Sequence, residues 1–341
     1  MRVFDSTPFS LLSSPRPAFG FLAAAGLALT LVSCHHADVR QALRSQALQA
    51  PQGPPVMLAA YQPWFGNSSH INVGYSSQDE RVLERQIAEA KDLGIRGFVV
   101  NWYGPNKNFE DRSYALLQRV AGQDRDFRVA LMYDEDDGGG DTTNQVIGDL
   151  QYAYDRYIGS RADGSRSAYL RYNGRPVIFI FPKGGATDWS RVRRATDSWD
   201  DPPLLLYKDG NSKYASDFDG FYAWVQPGRG GWQRDGSNWG RDYLDSFYAR
   251  MSAHYPDKIA VGAAWPGFDD SRASWTRNRR MNARCGKTFE DSLGLFRRYY
   301  SDQKPLPFLM IVTWNDYEEG TAIERGVVRC GGGESTATAG R

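Results

Sequence analysis

A single (β/α)8 barrel of the TIM type, an α/β fold, is predicted by this sequence, and three observations predict it. Eight short runs rich in apolar, β-branched and aromatic residues recur between 57 and 316. Helical patterns fill most intervals between them. Almost every run begins aliphatic and ends aromatic or polar, as expected where the C-terminal strand ends of a barrel carry the site. An open doubly wound sheet is the rival, but no G-x-G-x-x-G follows any run.

The runs are 57–65, 97–104, 128–135, 176–182, 203–209, 220–227, 258–266 and 308–316. They are mostly continuous rather than alternating, the pattern of strands buried on both faces of a parallel sheet. Between the first two, Ser77 with Glu80 reads as a capping box opening a helix that Gly94 stops. Further helices are expected at 112–121, 142–158, 188–197, 240–254 and 288–301. The interval 210–219 is too short for a full helix, so one crossover is degenerate.

The ends read differently. Arg2 and Arg16 precede the apolar stretch 21–32, too short to span a bilayer as a helix. It runs into Leu31-Val32-Ser33-Cys34, which resembles the lipobox of bacterial lipoproteins and implies lipidation of Cys34. The expected division is a signal peptide over 1–33, a tether over 34–55, the barrel over 56–327 and a low-complexity tail over 328–341. The location this implies is outside the cytoplasm, as an outer-membrane or periplasmic lipoprotein.

Lys and Arg number 41 against 40 Asp and Glu, and the segment before Cys34 accounts for the single surplus charge. That balance excludes a nucleic-acid binder and electrostatic membrane docking, and it suits an uncharged sugar. Of the four His, two lie in the tether; no Cys/His spacing suggests zinc, and neither metal nor cofactor is expected. The acidic run 134–137 lacks the regular ligand spacing of a calcium loop. Cys285 and Cys330 remain as a possible disulfide, which would close a loop of roughly 45 residues and contribute ~3–4 kcal/mol.

Aromatic residues are abundant, with 10 Trp, 19 Tyr and 17 Phe. The strand ends deliver Tyr61, Trp64, Trp102, Tyr103, Tyr133, Asp134, Lys208, Tyr222, Trp224, Gln226, Trp265, Trp314 and Asn315. Rings that stack on C–H faces, mixed with groups that bind hydroxyls, suit a poly- or oligosaccharide. His70 belongs to the first loop above the barrel, and the loop 228–240 offers Trp232 or Trp239 as a stacking platform. The eighth run ends in three acids, Asp316, Glu318 and Glu319. A three-residue separation in a tight or helical turn sets Asp316 and Glu319 toward the barrel axis, with Glu318 turned away. Glycoside hydrolysis normally needs two such carboxyl groups, one protonated and one ionised.

The span from about 57 to 325 resembles glycoside hydrolase families 71 and 99, the α-1,3-glucanases and endo-α-mannosidases. YQPWFG (61–66), the segment 74–104 and TWNDYEEGTAIE (313–324) carry the resemblance. It implies a (β/α)8 hydrolase cleaving an α-linked glycan, with Glu319 as general acid/base. Trp314, Asn315, Asp316, Tyr317 and Glu319 match the W-N-D-Y-G-E-S of family 71. Gly320 and Thr321 instead match family 99, which has a Glu where this chain has Asp316. The expectation is a monomeric, endo-acting α-glycosidase of mannan or glucan at the cell envelope, touching the membrane only through its anchor. A non-catalytic glycan-binding lipoprotein and a transglycosylase or glycan-biosynthesis protein on the same barrel are the alternatives.

Overall fold

The computed structural model describes residues 55–135, 142–183, 186–227 and 238–327. Within them lie eight barrel strands: β1 (Val56–Tyr61), β2 (Gly97–Trp102), β3 (Arg128–Asp134), β4 (Arg175–Phe181), β5 (Leu204–Lys208), β6 (Gly220–Tyr222), β7 (Ile259–Ala264) and β8 (Phe308–Ile311). Each pairs in parallel with the next, and β8 pairs with β1, so the barrel is closed. Closure leaves these strands no edge, and most of their residues are buried, which accounts for the continuous apolar runs.

The outer layer is α1 (Glu80–Asp92), α2 (Asn108–Ala121), α3 (Thr143–Ala153), α4 (Trp189–Asp197), α5 (Arg241–His254) and α6 (Lys287–Gly294). The β5–β6 crossover is reduced to one 3-10 turn, Ser212–Tyr214, as its length requires. The capping box is corrected. Asp79, not Ser77, caps α1, accepting from the Arg81 N–H at 3.0 Å. Ser77 is fully buried, and its own N–H donates to the Phe65 carbonyl. Gly94 ends the helix with φ of 82°, a left-handed value that glycine adopts without strain.

The predicted signal, tether and tail, with Cys34 and Cys330, lie outside the described residues, as do most of the 134–141 acidic loop and Trp232. Cys285 is disulfide-bonded.

Candidate active site

The C-terminal ends of the strands converge on a mouth rimmed by polar groups, and β8 contributes most to it. Beyond Ile311 the chain forms a turn rather than a helix. The Thr313 hydroxyl accepts from the Asp316 N–H at 2.8 Å. Asp316 Oδ1 in turn accepts the N–H groups of Glu318 (3.1 Å) and Glu319 (2.9 Å). Gln62, just past β1, donates its amide to Asp316 Oδ2 at 3.3 Å. The carboxylate is thus fixed by three donors and is almost wholly buried.

Glu319 sits further out, its side chain 18% exposed. Its Oε1 accepts the indole N–H of Trp275 at 3.1 Å, and Arg279 Nη2 lies 4.0 Å away. Burial pushes the Asp316 pKa well above the usual carboxylate range, and the neighbouring Glu319 charge adds to the effect. Burial also raises Glu319, opposed by the Trp275 hydrogen bond and by Arg279. Burial at the end of β8 thus favours the protonated form of both carboxyls relative to exposed ones. One acid and one carboxylate at the end of β8 are the minimum set for cleaving a glycosidic bond.

Glu318 departs from expectation. The turn rotates it not into solvent but against the first loop, where its Oε2 lies 2.8 Å from His70 Nδ1 and its Oε1 accepts the Ile71 N–H at 3.2 Å. His70 stacks face to face on Trp64, 4.6 Å between centroids, and Trp275 packs edge-on against both rings. Glu318 therefore anchors an aromatic wall beside Glu319.

The far side is a polar belt. Asn101 at the end of β2 donates to Asp134 Oδ2 at 3.2 Å and to the Tyr103 hydroxyl at 3.3 Å. Asp134 Oδ1 lies 3.2 Å from Lys183 Nζ, just past β4. Burial raises the Asp134 pKa to about 6, with Lys183 opposing the rise. Glu135 holds this segment in place. It accepts the Lys183 N–H at 3.0 Å and the Thr187 hydroxyl at 2.5 Å. Trp224 packs edge-on against Phe181, and Gln226 donates to Asp209 at 3.3 Å.

Seven residues expected to line sugar subsites are placed elsewhere. Tyr61 donates to Gln86 on α1, Trp102 to Asp111 on α2, and Tyr133 to Asp149 on α3. All three point into the helix layer. Trp265 is sealed under the loop before α5, donating to the Trp239 carbonyl at 2.9 Å; Trp239 is itself buried and is no exposed platform. Trp314 packs against Phe98 in the core. Tyr222 spans the barrel interior, its hydroxyl donating to the Ile180 carbonyl at 2.9 Å. Asn315 mimics a strand partner: it accepts the Gln62 N–H at 2.7 Å and donates to the Gln62 carbonyl at 3.0 Å. The sequence reading missed Gln62, Lys183, Trp275 and Arg279. The last two lie on the excursion after β7 that contains the small hairpin Phe268–Asp269/Arg280–Met281. Among the described residues no cluster of His, Cys, Asp and Glu is arranged to hold a metal ion.

A closed parallel barrel with a buried carboxyl pair and an aromatic wall at its C-terminal mouth has the architecture of a glycoside hydrolase. The sequence model of glycosyl hydrolase family 71 matches residues 69–326, and the chain belongs to that family. The glycoprotein endo-alpha-1,2-mannosidase of Rattus norvegicus is 23% identical over 289 residues, 77% of this chain and 58% of that protein. The glycoprotein endo-alpha-1,2-mannosidase-like protein of Danio rerio is 22% identical over 298 residues, 80% of this chain and 61% of that protein. This chain therefore spans less than two thirds of those relatives. In fold it is similar to the GH99 endo-alpha-mannosidase of Bacteroides thetaiotaomicron, with a TM-score of 0.61 at 20% identity over 79% of this chain and 86% of that one.

Proposed function

We propose that this protein cleaves internal α-linkages of a mannan- or glucan-type glycan, with Asp316 and Glu319 as its carboxyl pair. The observation that carries the reading is the burial of both groups after β8 in a family 71 barrel, which raises the pKa of each. Glu319 is the proton donor to the leaving oxygen: it lies nearer the opening, and only its Oε1 is held by Trp275. Asp316 is its carboxyl partner on the anomeric side. Burial and the Glu319 charge raise its pKa, and its two backbone N–H bonds partly oppose that rise. Trp64, His70, Tyr103 and Trp275 form the stacking wall, and Asn101 and Asp134 bind hydroxyls.

The test is a panel of α-mannans and α-glucans, with the product anomer followed by proton NMR. Glu319→Gln and Asp316→Asn are each expected to lower kcat/KM by about 10²–10⁴-fold. Unchanged turnover in either variant would refute the assignment. Retained binding by Glu319→Gln in a chain whose wild type never forms product would point instead to a glycan-binding protein.

We extend the proposal to location. Cys34 carries a lipid that holds the barrel at the cell envelope, and labelled palmitate is expected to enter the wild type but not Cys34→Ala.

A further inference from the structure

Asp270 opens the part of the excursion after β7 that carries Trp275 and Arg279, and it is wholly shielded from solvent. A carboxylate taken out of water needs partners for both oxygens. Oδ1 accepts the Thr276 hydroxyl at 3.0 Å and the Arg279 backbone N–H at 2.8 Å. Oδ2 accepts the Arg277 N–H at 3.1 Å and the Arg279 Nε–H at 2.8 Å. Burial raises the Asp270 pKa, but Arg279 and the backbone donors outweigh it and hold the group below the usual carboxylate range. Residues 270–279 thus close around one buried anion. The closed loop is seated on the turn after β8. The Asp269 N–H donates to the Glu319 carbonyl at 2.8 Å, and a Cβ added to Gly320 would stand 3.1 Å from that same nitrogen. Arg279 is shared between two carboxyls: its Nε is on Asp270, and its Nη2 is 4.0 Å from Glu319 Oε1. Its guanidinium also lies over the Phe268 ring, 5.0 Å from the centroid. Asp269 is engaged elsewhere, by Arg280 at 3.4 Å and the Ser271 N–H at 3.0 Å.

Resting on the glycosidase reading above, we infer that Asp270 is a positioning residue for the Glu319 proton: it occupies the Arg279 guanidinium and keeps it from closing on Glu319 as a direct ion pair. A proton donor beside an arginine is a contradiction unless another anion holds the arginine. An opposite charge within about 4–6 Å lowers a carboxyl pKa by about 1–3 units, which would leave Glu319 ionised when the leaving oxygen needs its proton. Asp270 acts on Glu319 directly as a nearby anion and indirectly through Arg279, and both actions favour the proton. The other charges facing Glu319 are Lys183 past β4, Lys208 at the end of β5, and Asp316 in its own turn. His70 stands behind the Trp275 ring with Glu318 as its partner.

The experiment titrates the Glu319 carboxyl itself, by carbon-13 NMR of full-length protein labelled at the glutamate side-chain carboxyls, with the resonance assigned by its loss in Glu319→Gln. Asp270→Asn releases Arg279 toward Glu319, and the Glu319 pKa is expected to fall by about one unit, a ten-fold change in the ionisation constant. The double variant Asp270→Asn/Arg279→Gln removes the ion pair as a neutral unit, and its Glu319 is expected to titrate within about half a unit of wild type. Should the single variant fail to fold, the double variant decides alone. The sign discriminates. A residue that merely closed the loop would, when lost, withdraw both Trp275 and Arg279 and raise the Glu319 pKa; a rise in Asp270→Asn with loss of the Trp275 indole N–H bond therefore overturns the inference. An unmoved single variant overturns it too, as does a rise of a unit or more in the double variant. Wild-type protein that cleaves no glycan removes the glycosidase reading whatever the titration shows. An unshifted titration in an active enzyme removes the inference and leaves that reading intact.

Discussion

Trp275→Phe isolates the control of the Glu319 proton. The indole N–H donates to Glu319 Oε1 at 3.1 Å and favours the ionised carboxylate. Phenylalanine keeps a ring against Trp64 and His70 but removes the donor. A hydrogen bond to a charged group is worth about 1.5–3 kcal/mol net. Because Trp275 is 40% exposed, water reaches the vacated position and the lower end applies. About 1.4 kcal/mol is a ten-fold change in the ionisation constant. The sign follows from which form is stabilised: losing a donor to the carboxylate raises the Glu319 pKa, so the protonated acid survives to higher pH. The alkaline limb of kcat/KM, which reports the free enzyme, is expected to move up by about one pH unit, with the acid limb unchanged. A pH series on the glycan found by the screen measures it. An unmoved or lowered alkaline limb would refute the reasoning. A uniform loss of kcat/KM at every pH would make Trp275 only a sugar contact.

Two further substitutions separate holding the site from performing in it. His70→Leu leaves the Glu318 carboxylate, 2% exposed, with only the Ile71 N–H. A hydrogen bond to a charged group is worth about 1.5–3 kcal/mol, and at about 2 °C per kcal/mol for a domain of this size the melting temperature is expected to fall by about 3–6 °C. Adding Glu318→Leu should recover most of that loss, and non-recovery in a scanning-calorimetry cycle would dismiss the pair as the cause. Asn315→Leu orphans the N–H and carbonyl of Gln62, at about 1–3 kcal/mol each, and disturbs the side chain that holds Asp316. Its kcat is expected to fall more than its KM rises. The reverse pattern would mean that Asn315 touches the sugar after all.

The barrel was readable in the sequence because its strands are buried on both faces, so each leaves a continuous apolar signal that no loop imitates. The α1 boundary was less readable because two capping patterns overlap there. Ser77 with Glu80 satisfies the box by spacing, but Asp79 stands next to the first turn and Ser77 is already held by Phe65. Asp316 and Glu319 were readable as mouth residues because they close the eighth apolar run of the sequence. Glu318 was not, because its direction depends on a turn whose geometry is set by the Asp316 and Thr313 side chains. Trp275 and Arg279 lie in an irregular excursion of some twenty residues with no periodicity to say what it covers.

The aromatic residues at the strand ends pose the harder case, and alternation resolves it. Neighbouring residues on a strand point to opposite faces. Four neighbouring pairs end strands here: Tyr61 with Gln62, Asn101 with Trp102, Tyr133 with Asp134, and Tyr207 with Lys208. In each the ring goes outward, three bonding to the helices and Tyr207 packing edge-on against Trp189 of α4. In each the polar partner belongs to the mouth. Composition at a strand end therefore records two functions at once, and counting rings cannot separate them. The outward rings clamp the last residue of each strand to a helix, which removes freedom from the polar group beside it. The stacking surface proposed above comes instead from loops, in Trp64, Tyr103 and Trp275. The proposed cleavage of a glycan would need both properties, fixed carboxyls and a wall that can follow a ring. The division of aromatics between clamped strand ends and loop tips is how this chain supplies them.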